Sequence, residues 1–333
     1  MARYRDLTYQ TLLSSLPRKE PREYLYGLIE DHVAQVGKGF RPALCIASCR
    51  AFGGSIEQAL HSAVAIELLH NGFLVHDDIE DGSLYRRNHP TMHVAYGVPV
   101  AVNVGDLMNA LSIGPLIDNL RVLGSELAGR VFYEVHRMVV QTVEGQAIEL
   151  GWTRDNVTDI DVDDYLRLVL KKTGWYTCIC PARVGALIGT GGRIDPDRFN
   201  KFGFLLGAAF QIQDDILNLV GNQREYGKEI LGDIWEGKRT LMLIETLARC
   251  TAGERQRLLS ILTVPRSRRV EREVQWVFDL MDRCGAIEFA RAVSRELLAE
   301  AEREFDLAYA DAPESEDKAF IRGLIVSLDE RKS

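Results

Sequence analysis

The sequence lacks paired cysteines, a leading hydrophobic segment and any long uninterrupted apolar run. Its six cysteines do not have the paired spacing of a zinc site, and a chain of 333 residues does not need a disulfide framework. No run reaches the roughly 18 apolar residues of a membrane span, and the first ten residues have no signal-peptide core. We therefore expect a cytoplasmic, soluble protein with reduced thiols.

An excess of basic residues is also missing. The formal net charge is −8 at pH 7, which argues against a general nucleic-acid binder, because such proteins present a basic face. Apolar residues make up 46% of the chain and charged residues 26%, which is the balance of a globular protein with a sizeable core. The composition therefore predicts a globular protein that does not bind nucleic acid.

Signals for β-strands are nearly absent, and helical periodicity dominates instead. Apolar residues recur at spacings of three and four, as at Ile66, Leu69 and Phe73. The glycine-rich breaks are too short to be interdomain linkers. The sequence predicts one all-α domain over residues 1–333, with ten or more helices and the central ones buried on all sides.

Two acidic steps follow apolar segments that are far apart in the chain. In LVHDDIED, Asp77 and Asp81 are four residues apart, so they share one face of a helix. In FQIQDD, Asp214 and Asp215 follow another apolar run. If the two helices face each other, these carboxylates form an open cage of oxygen ligands, which suits Mg²⁺ bound to a diphosphate.

Basic residues adjoin glycine-rich or polar breaks near these acidic steps. Each one alone is an ordinary surface charge, but together with the aspartates they indicate a site for a polyanion bridged by metal. They are Lys38, Arg41, Arg86, Arg87, Lys172, Lys228 and Lys238.

The chain resembles the trans-isoprenyl diphosphate synthases, also called polyprenyl synthetases, in the order and spacing of six motifs. They are GKGFRP (37–42), ELLHNGFLVHDDIED (67–81), RRNHPT (86–91), KTG (172–174), FQIQDD (210–215) and GKEILGDIWEGKRT (227–240). The resemblance implies the isoprenoid synthase fold, with long helices around a deep central cavity, usually as a homodimer. It also implies Mg²⁺-dependent, head-to-tail addition of isopentenyl diphosphate to dimethylallyl, geranyl or farnesyl diphosphate, with three Mg²⁺ ions per active site.

The resemblance assigns roles to residues within these motifs. The expected metal ligands are Asp77, Asp81 and Asp214, with Asp78 and Asp215 supporting them. The expected ligands of the allylic diphosphate are Arg86, Lys172, Lys228 and Lys238. The expected ligands of isopentenyl diphosphate are Lys38, Arg41, His70 and Arg87. The oxygens of Gln211 and Thr173 would face a developing carbocation at the reacting centre.

This chemistry needs no protein nucleophile, and the sequence shows no Ser/His or Cys/His pair. Metals and cations would stabilise the departing diphosphate, which lowers the barrier to allylic C–O cleavage. The released diphosphate is the base that the family implies. His76, His89 and His93 are therefore interpreted as structural or rim residues.

Three positions depart from the family pattern. Asn218 replaces the third aspartate of the second motif, and some geranylgeranyl-forming members carry asparagine there. Asn88 stands where glycine is common, but asparagine tolerates left-handed backbone angles, so the turn can survive. His89 takes a place that is often held by a basic residue.

Product length is expected to depend on the side chains one turn before Asp77. Phe73 lies four residues before it and Gly72 five. A large aromatic side chain at both places would stop chain growth early, whereas glycine leaves half of this tunnel wall open. We therefore predict geranylgeranyl diphosphate (C20), with farnesyl diphosphate (C15) as the alternative; close helix packing is the other explanation for Gly72.

Two other functions share parts of this pattern. A class I terpene cyclase cyclises one allylic diphosphate, but its second metal motif carries Ser/Thr and Glu where this chain has Asn218 and Asn222. A non-catalytic subunit of a heteromeric synthase usually loses the aspartate motifs, which this chain retains. The condensing enzyme is therefore the favoured interpretation.

Overall fold

The structure, a computed structural model, describes residues 1–222 and 229–329. In this part of the chain, regular structure is almost entirely helical, as the sequence predicts, and β1 (Tyr85–Arg86) and β2 (His89–Pro90) form a short antiparallel hairpin. The α-helices are α1 (Ala2–Ser15), α2 (Gly27–Ala34), α3 (Phe40–Ala51), α4 (Ile56–Asp81), α5 (Met92–Tyr96), α6 (Val98–Leu111), α7 (Ile113–Leu123), α8 (Ser125–Arg154), α9 (Val162–Val169), α10 (Cys180–Gly189), α11 (Asn200–Val220), α12 (Gly232–Glu236), α13 (Leu241–Arg249), α14 (Ala252–Leu262), α15 (Glu271–Arg283), α16 (Ala286–Ala308) and α17 (Glu316–Asp329). Two π-helices span Arg22–Tyr26 and Leu170–Ile179, and 3₁₀ turns span Pro196–Phe199 and Arg266–Arg268.

Two central helices, α3 and α10, are buried along nearly their whole length and pack against each other. In α3 every residue is buried except Arg50, and in α10 every residue is buried except Gly189. Both helices are rich in alanine and cysteine, whose small side chains allow a close approach. The expectation that the central helices are buried on all sides is therefore confirmed.

The long helix α4 carries the first acidic step in its last turn. It begins at a capping box, in which Ser55 Oγ accepts from the Gln58 backbone N–H at 3.3 Å and Gln58 Oε1 accepts from the Ser55 N–H at 2.8 Å. It ends at Gly82, whose φ of 65° places it in the left-handed region that stops a helix. The chain therefore reverses immediately after Asp81 and enters the β1–β2 hairpin.

The π-helix Leu170–Ile179 lies directly against α8. A Cβ atom added to Gly145 of α8 would lie 2.3 Å from the backbone nitrogen of Lys172, so only glycine permits this approach. π-helical turns are rare and frequently occur at functional sites. Here the segment carries both Lys172 and Thr173, which line the central cavity.

Helices α6, α7 and α8 expose many large apolar side chains, and we call this group the exposed apolar face. By length and composition the segment Val98–Leu123 could cross a membrane, and 39% of its most apolar window is buried inside the protein. Helices that pack within globular proteins satisfy the same criterion, so this is weak evidence for a span. The exposed members of the face are Val98, Val102, Ile113, Ile117, Leu120, Val122, Phe132, Tyr133, Val140 and Val143.

Candidate active site

A cavity of about 1150 Å³ lies between α4, α8, the π-helix Leu170–Ile179 and α11. Its lining brings together nearly all of the site residues that the sequence predicts. The predicted residues in the lining are Lys38, Arg41, His70, Phe73, Asp77, Asp81, Arg86, Arg87, Lys172, Thr173, Gln211, Asp214, Asp215 and Lys238. Asp78 and Gly72 do not line the cavity, and Lys228 lies outside the described residues.

Asp78 and Arg86 form a buried, bidentate ion pair at the cavity wall, where Arg86 lines the cavity and Asp78 does not. Arg86 Nε donates to Asp78 Oδ2 at 2.8 Å, and Arg86 Nη2 donates to Asp78 Oδ1 at 2.6 Å. Arg86 Nη2 also lies 3.7 Å from Asp77 Oδ2. Asp78 therefore fixes the guanidinium of Arg86 beside the first acidic step, in line with the supporting role expected for it.

The β1–β2 hairpin turns at Arg87 and Asn88, which have φ angles of 52° and 63°. Positive φ at both central residues defines a type I′ turn, in which asparagine is among the favoured residues. The expectation that Asn88 preserves this turn is confirmed. The side chain of Arg87 reaches back to α2, where its Nη1 donates to the Gln35 carbonyl at 2.7 Å.

Lys172 stands between two carboxylates on opposite sides. Its ammonium lies 3.3 Å from Asp77 Oδ1 and donates to the carboxylate of Glu149 on α8. Burial alone would lower the pKa of Lys172, but Asp77 and Glu149 outweigh burial and raise it. Lys172 therefore remains charged inside the cavity and couples α8 to the end of α4.

The carboxylates at this end of the cavity lack enough positive charge around them. Burial and the neighbouring Asp77 raise the pKa of Asp81 well above its usual range, and burial and Asp81 do the same for Glu236. A divalent cation would relieve this repulsion, so the donor set fits one. In residues 1–222 and 229–329, no three metal-ligating side chains already converge, so phosphate or water oxygens would have to complete the coordination.

Asp215 in the second motif accepts hydrogen bonds from three side chains. Its donors are Tyr165 Oη at 2.9 Å, Gln211 Nε2 at 2.7 Å and Lys238 Nζ at 2.9 Å. Gln211 Oε1 in turn accepts from Thr173 Oγ1 at 2.7 Å. This network joins α9, the π-helix and α11, and it holds the groups that would face the reacting carbons.

Asn218 stabilises the backbone that follows the second motif. Its Oδ1 accepts from the Asp233 N–H at 3.0 Å, and its carbonyl accepts from the Leu231 N–H at 2.8 Å. Its Nδ2 donates to the Glu229 carbonyl at 3.4 Å. An amide can donate and accept at once, which an ionised carboxylate cannot, so asparagine suits this position.

Arg41 and His70 form a second polar cluster in the cavity lining. Arg41 Nη2 donates to Thr177 Oγ1 at 2.9 Å, and its guanidinium stacks 4.2 Å from the ring centre of Tyr176. Arg41 Nη1 lies 3.3 Å from His70 Nε2. Burial, followed by the charge of Arg41, lowers the pKa of His70 well below its usual value, so the imidazole is neutral.

The apolar end of the cavity contains Phe73, whose ring packs edge-on against Tyr176 with centroids 6.1 Å apart. Gly72 faces away from it, toward α6. A Cβ atom at Gly72 would lie 2.5 Å from Asn109 Oδ1 and 3.2 Å from the Gly105 carbonyl oxygen. The geometry therefore favours close helix packing as the reason for Gly72 over an open tunnel wall.

Sequence reasoning missed Glu236, described above, and four further residues of this site. Glu149 continues a buried stripe along α8 after Met138, Thr142 and Gly145, and a charge at that spacing was the available signal. The other three reach the site from separate helices and carry no local signal. They are Asn109, Tyr165 and Tyr176.

Comparison with known proteins places these residues in a family context. The family described as Polyprenyl synthetase matches residues 22–281. The chain is 39% identical over 226 residues to a geranylgeranyl diphosphate synthase of Sulfolobus acidocaldarius, covering 68% of each chain. It is 32% identical to a short chain isoprenyl diphosphate synthase of Methanothermobacter thermautotrophicus, over 95% of this chain and 94% of that one. The crystal structure of a geranylgeranyl pyrophosphate synthetase from Pyrococcus horikoshii superposes with a TM-score of 0.85 at 29% identity, over 99% of this chain and 98% of that one.

Proposed function

The chain belongs to the polyprenyl synthetase family, and from that premise we propose that it condenses isopentenyl diphosphate head-to-tail with an allylic diphosphate to give geranylgeranyl diphosphate. It is a prenyltransferase. The observation that carries the proposal is one cavity that joins both aspartate motifs to an apolar end beside Phe73. The activity would reside in a single domain, residues 1–333.

Solved structures of polyprenyl synthases with bound magnesium or calcium support divalent metal use, and we propose Mg²⁺ as the ion, with three per active site. Asp77, Asp81 and Asp214 would hold it, because they line the cavity and the raised pKa of Asp81 signals a deficit of positive charge. When bound, the metal would neutralise the departing diphosphate. Asp215 would act indirectly, since its oxygens already accept from Tyr165, Gln211 and Lys238.

The remaining steps rest on side chains of this protein. Lys172 and Lys238 would hold the allylic diphosphate, and Arg86 would join them from its fixed position on Asp78. Lys228 would assist, although it lies outside the described residues. The second diphosphate would bind at Lys38, Arg41, His70 and Arg87, which line the same cavity.

The developing allylic cation would lie near Thr173 and Gln211. Gln211 Nε2 donates to Asp215, and Gln211 Oε1 accepts from Thr173 Oγ1. These hydrogen bonds fix the side chains of Gln211 and Thr173. Fixed oxygen dipoles stabilise a nearby positive charge without reorganising during the reaction. The double bond of isopentenyl diphosphate would attack this cation, and the proton lost from the new product would pass to the released diphosphate.

The C20 product is supported by the geranylgeranyl names of several relatives and by the position of Phe73. Farnesyl diphosphate (C15) remains the second candidate. A homodimer is proposed because the exposed apolar face carries ten large apolar side chains, and burying them against a second copy would remove apolar area from water. We further propose a cytoplasmic location.

The test is a product assay with isopentenyl diphosphate and each of dimethylallyl, geranyl and farnesyl diphosphate, with and without chelator. We expect chelator-sensitive condensation whose final product, identified by mass spectrometry, contains 20 carbons. A parallel reaction with primer alone tests cyclisation. Turnover of primer alone, or no turnover with any pair, would contradict the proposal.

A further inference from the structure

Helix α1 precedes the residues that the family profile matches, yet it borders the cavity. The matched segment begins at residue 22, whereas α1 spans Ala2–Ser15 and packs against α3 and α4. Two of its side chains, Arg5 and Tyr9, contact the Gly37–Gly39 loop. This loop carries Lys38, which was assigned to isopentenyl diphosphate above.

Arg5 lies in the cavity lining directly against Gly39. A Cβ atom at Gly39 would lie 2.6 Å from Arg5 Cγ, and Gly39 has a φ of 64°, so the loop residue must be glycine for both reasons. Arg5 Nε donates to Asp6 Oδ1 at 2.8 Å. Within the described part of the chain its terminal nitrogens have no hydrogen-bond partner, so they are available to an anion.

Tyr9 is buried beneath the same loop and holds it in place. Its hydroxyl donates to Glu67 Oε1 at 2.6 Å and accepts from the Gly37 N–H at 3.0 Å. Gly37 in turn lies against Arg87, because a Cβ atom there would be 2.7 Å from Arg87 Nη2. Tyr9 therefore anchors the loop to Glu67 of α4 at the point where the loop lies against Arg87.

The basic residues assigned to isopentenyl diphosphate are partly neutralised by a buried carboxylate, so a further cation would strengthen the site. Glu67 is almost fully buried and lines the cavity beside Arg41 and Arg87, so it offsets part of their charge. A diphosphate carries several negative charges. An additional guanidinium at the rim would restore the balance, and its planar set of donors suits phosphate oxygens.

We propose that α1 completes the isopentenyl diphosphate site. Arg5 donates to the diphosphate through its terminal nitrogens, and Tyr9 is a positioning residue that fixes Lys38 and Arg87 around the same anion. The inference rests on the proposed condensation. It adds to the isopentenyl diphosphate site two residues that precede the segment matched by the family. The allylic site should not depend on α1, because the hydrogen bonds of Arg5 and Tyr9 within the described residues go to Asp6, Glu67 and Gly37 and to none of the residues assigned to the allylic diphosphate.

The test compares Arg5→Ala, Arg5→Lys and Tyr9→Phe with the control Arg3→Ala, which changes an exposed residue of the same helix that does not line the cavity. In full-length protein, Arg5→Ala raises the KM for isopentenyl diphosphate about tenfold and leaves the KM for the allylic primer and kcat within about twofold. Arg5→Lys recovers part of the loss. Tyr9→Phe raises the same KM about fivefold, and Arg3→Ala has no effect.

Two further measurements separate binding from folding and from the proposed reaction. Calorimetric titration of each variant with isopentenyl diphosphate alone should reproduce the ranking, and its salt dependence should be weaker in Arg5→Ala, because one ionic contact is lost. If the wild type condenses both substrates but Arg5→Ala binds isopentenyl diphosphate normally, the role of α1 is refuted while the reaction stands. If the wild type does not condense them, the proposed function fails instead.

Discussion

Replacing Gly72 by alanine separates its two interpretations. If the residue were part of the tunnel wall, a methyl group would shorten the space for the growing chain and leave stability unchanged. The structure places Gly72 against α6 instead, so the methyl group should cost stability and leave the product unchanged.

The expected loss of unfolding free energy follows from the contacts that the added methyl group would make. The new Cβ atom would lie 2.5 Å from Asn109 Oδ1 and 3.2 Å from the Gly105 carbonyl oxygen. Overpacking of this kind costs about 1–3 kcal/mol. Replacing a helical glycine by alanine also stabilises the helix by about 1 kcal/mol, which offsets part of that cost. We therefore expect a net loss of about 1 kcal/mol for Gly72→Ala, and a much larger loss for Gly72→Phe, because the α6 backbone would have to move.

A double-mutant cycle with Asn109→Ala isolates the contact. Because Asn109 Oδ1 has no hydrogen-bond partner among the described residues, Asn109→Ala alone should lower the unfolding free energy only slightly. Gly72→Ala should then be tolerated in the Asn109→Ala background, with a coupling energy of about 1–2 kcal/mol in urea denaturation. Product analysis by mass spectrometry accompanies each variant. A shorter product from Gly72→Ala without loss of stability would refute the packing argument.

Four further outcomes are expected. Asp214→Ala should lower kcat by about 10³-fold or more with an unchanged circular dichroism spectrum; near-normal turnover would remove Asp214 from the metal site. Phe73→Ala should extend the product beyond C20 and cost less than the about 3–5 kcal/mol of a fully buried phenylalanine, since Phe73 is half-buried; an unchanged product would locate the limit elsewhere. Arg86→Ala should destabilise the protein by about 3–5 kcal/mol, since Asp78 would be left buried and unpaired; equal stability to wild type in urea would contradict this. Burial lowers the pKa of His32 to about 3. As the pH falls from about 6.5 toward 3, only the unfolded state binds a proton at this residue, so the unfolding free energy should fall by about 1.4 kcal/mol per pH unit. His32→Gln should flatten this pH dependence of the unfolding free energy.

The sequence predicts which residues share the cavity better than it predicts what each one contacts. Helical periodicity and the motif order are enough to predict an all-α fold in which Asp77 and Asp214 line one space. Adjacent helical residues, however, point about 100° apart. Phe73 therefore enters the cavity while Gly72 faces α6, a difference that proximity in the chain does not reveal.

The partners of charged side chains are equally hard to predict from sequence. The sequence predicts that Asp78 supports the neighbouring Asp77 but not which side chain it contacts; the type I′ turn returns Arg86 to it, and the pair becomes buried. Glu149 looks like one of many solvated helical charges until the close approach at Gly145 brings Lys172 to it. Both outcomes depend on backbone paths between distant segments, which no local pattern encodes.

The π-helix Leu170–Ile179 also bears on how the chain tolerates changes in length. A π turn closes its hydrogen bond over i→i+5, so it contains one residue more than an α turn. Deleting one residue there should let the turn relax to α-helix, while α10 keeps its packing on α3. The helices on either side would keep their orientation, because the turn loses only its extra residue. Lys172 and Thr173 lie inside the segment, so a deletion beside them would shift each by one position, about 100° around the axis, and they would no longer face Asp77 and Gln211. A one-codon deletion in this segment is therefore expected to leave a folded protein that has lost its chemistry.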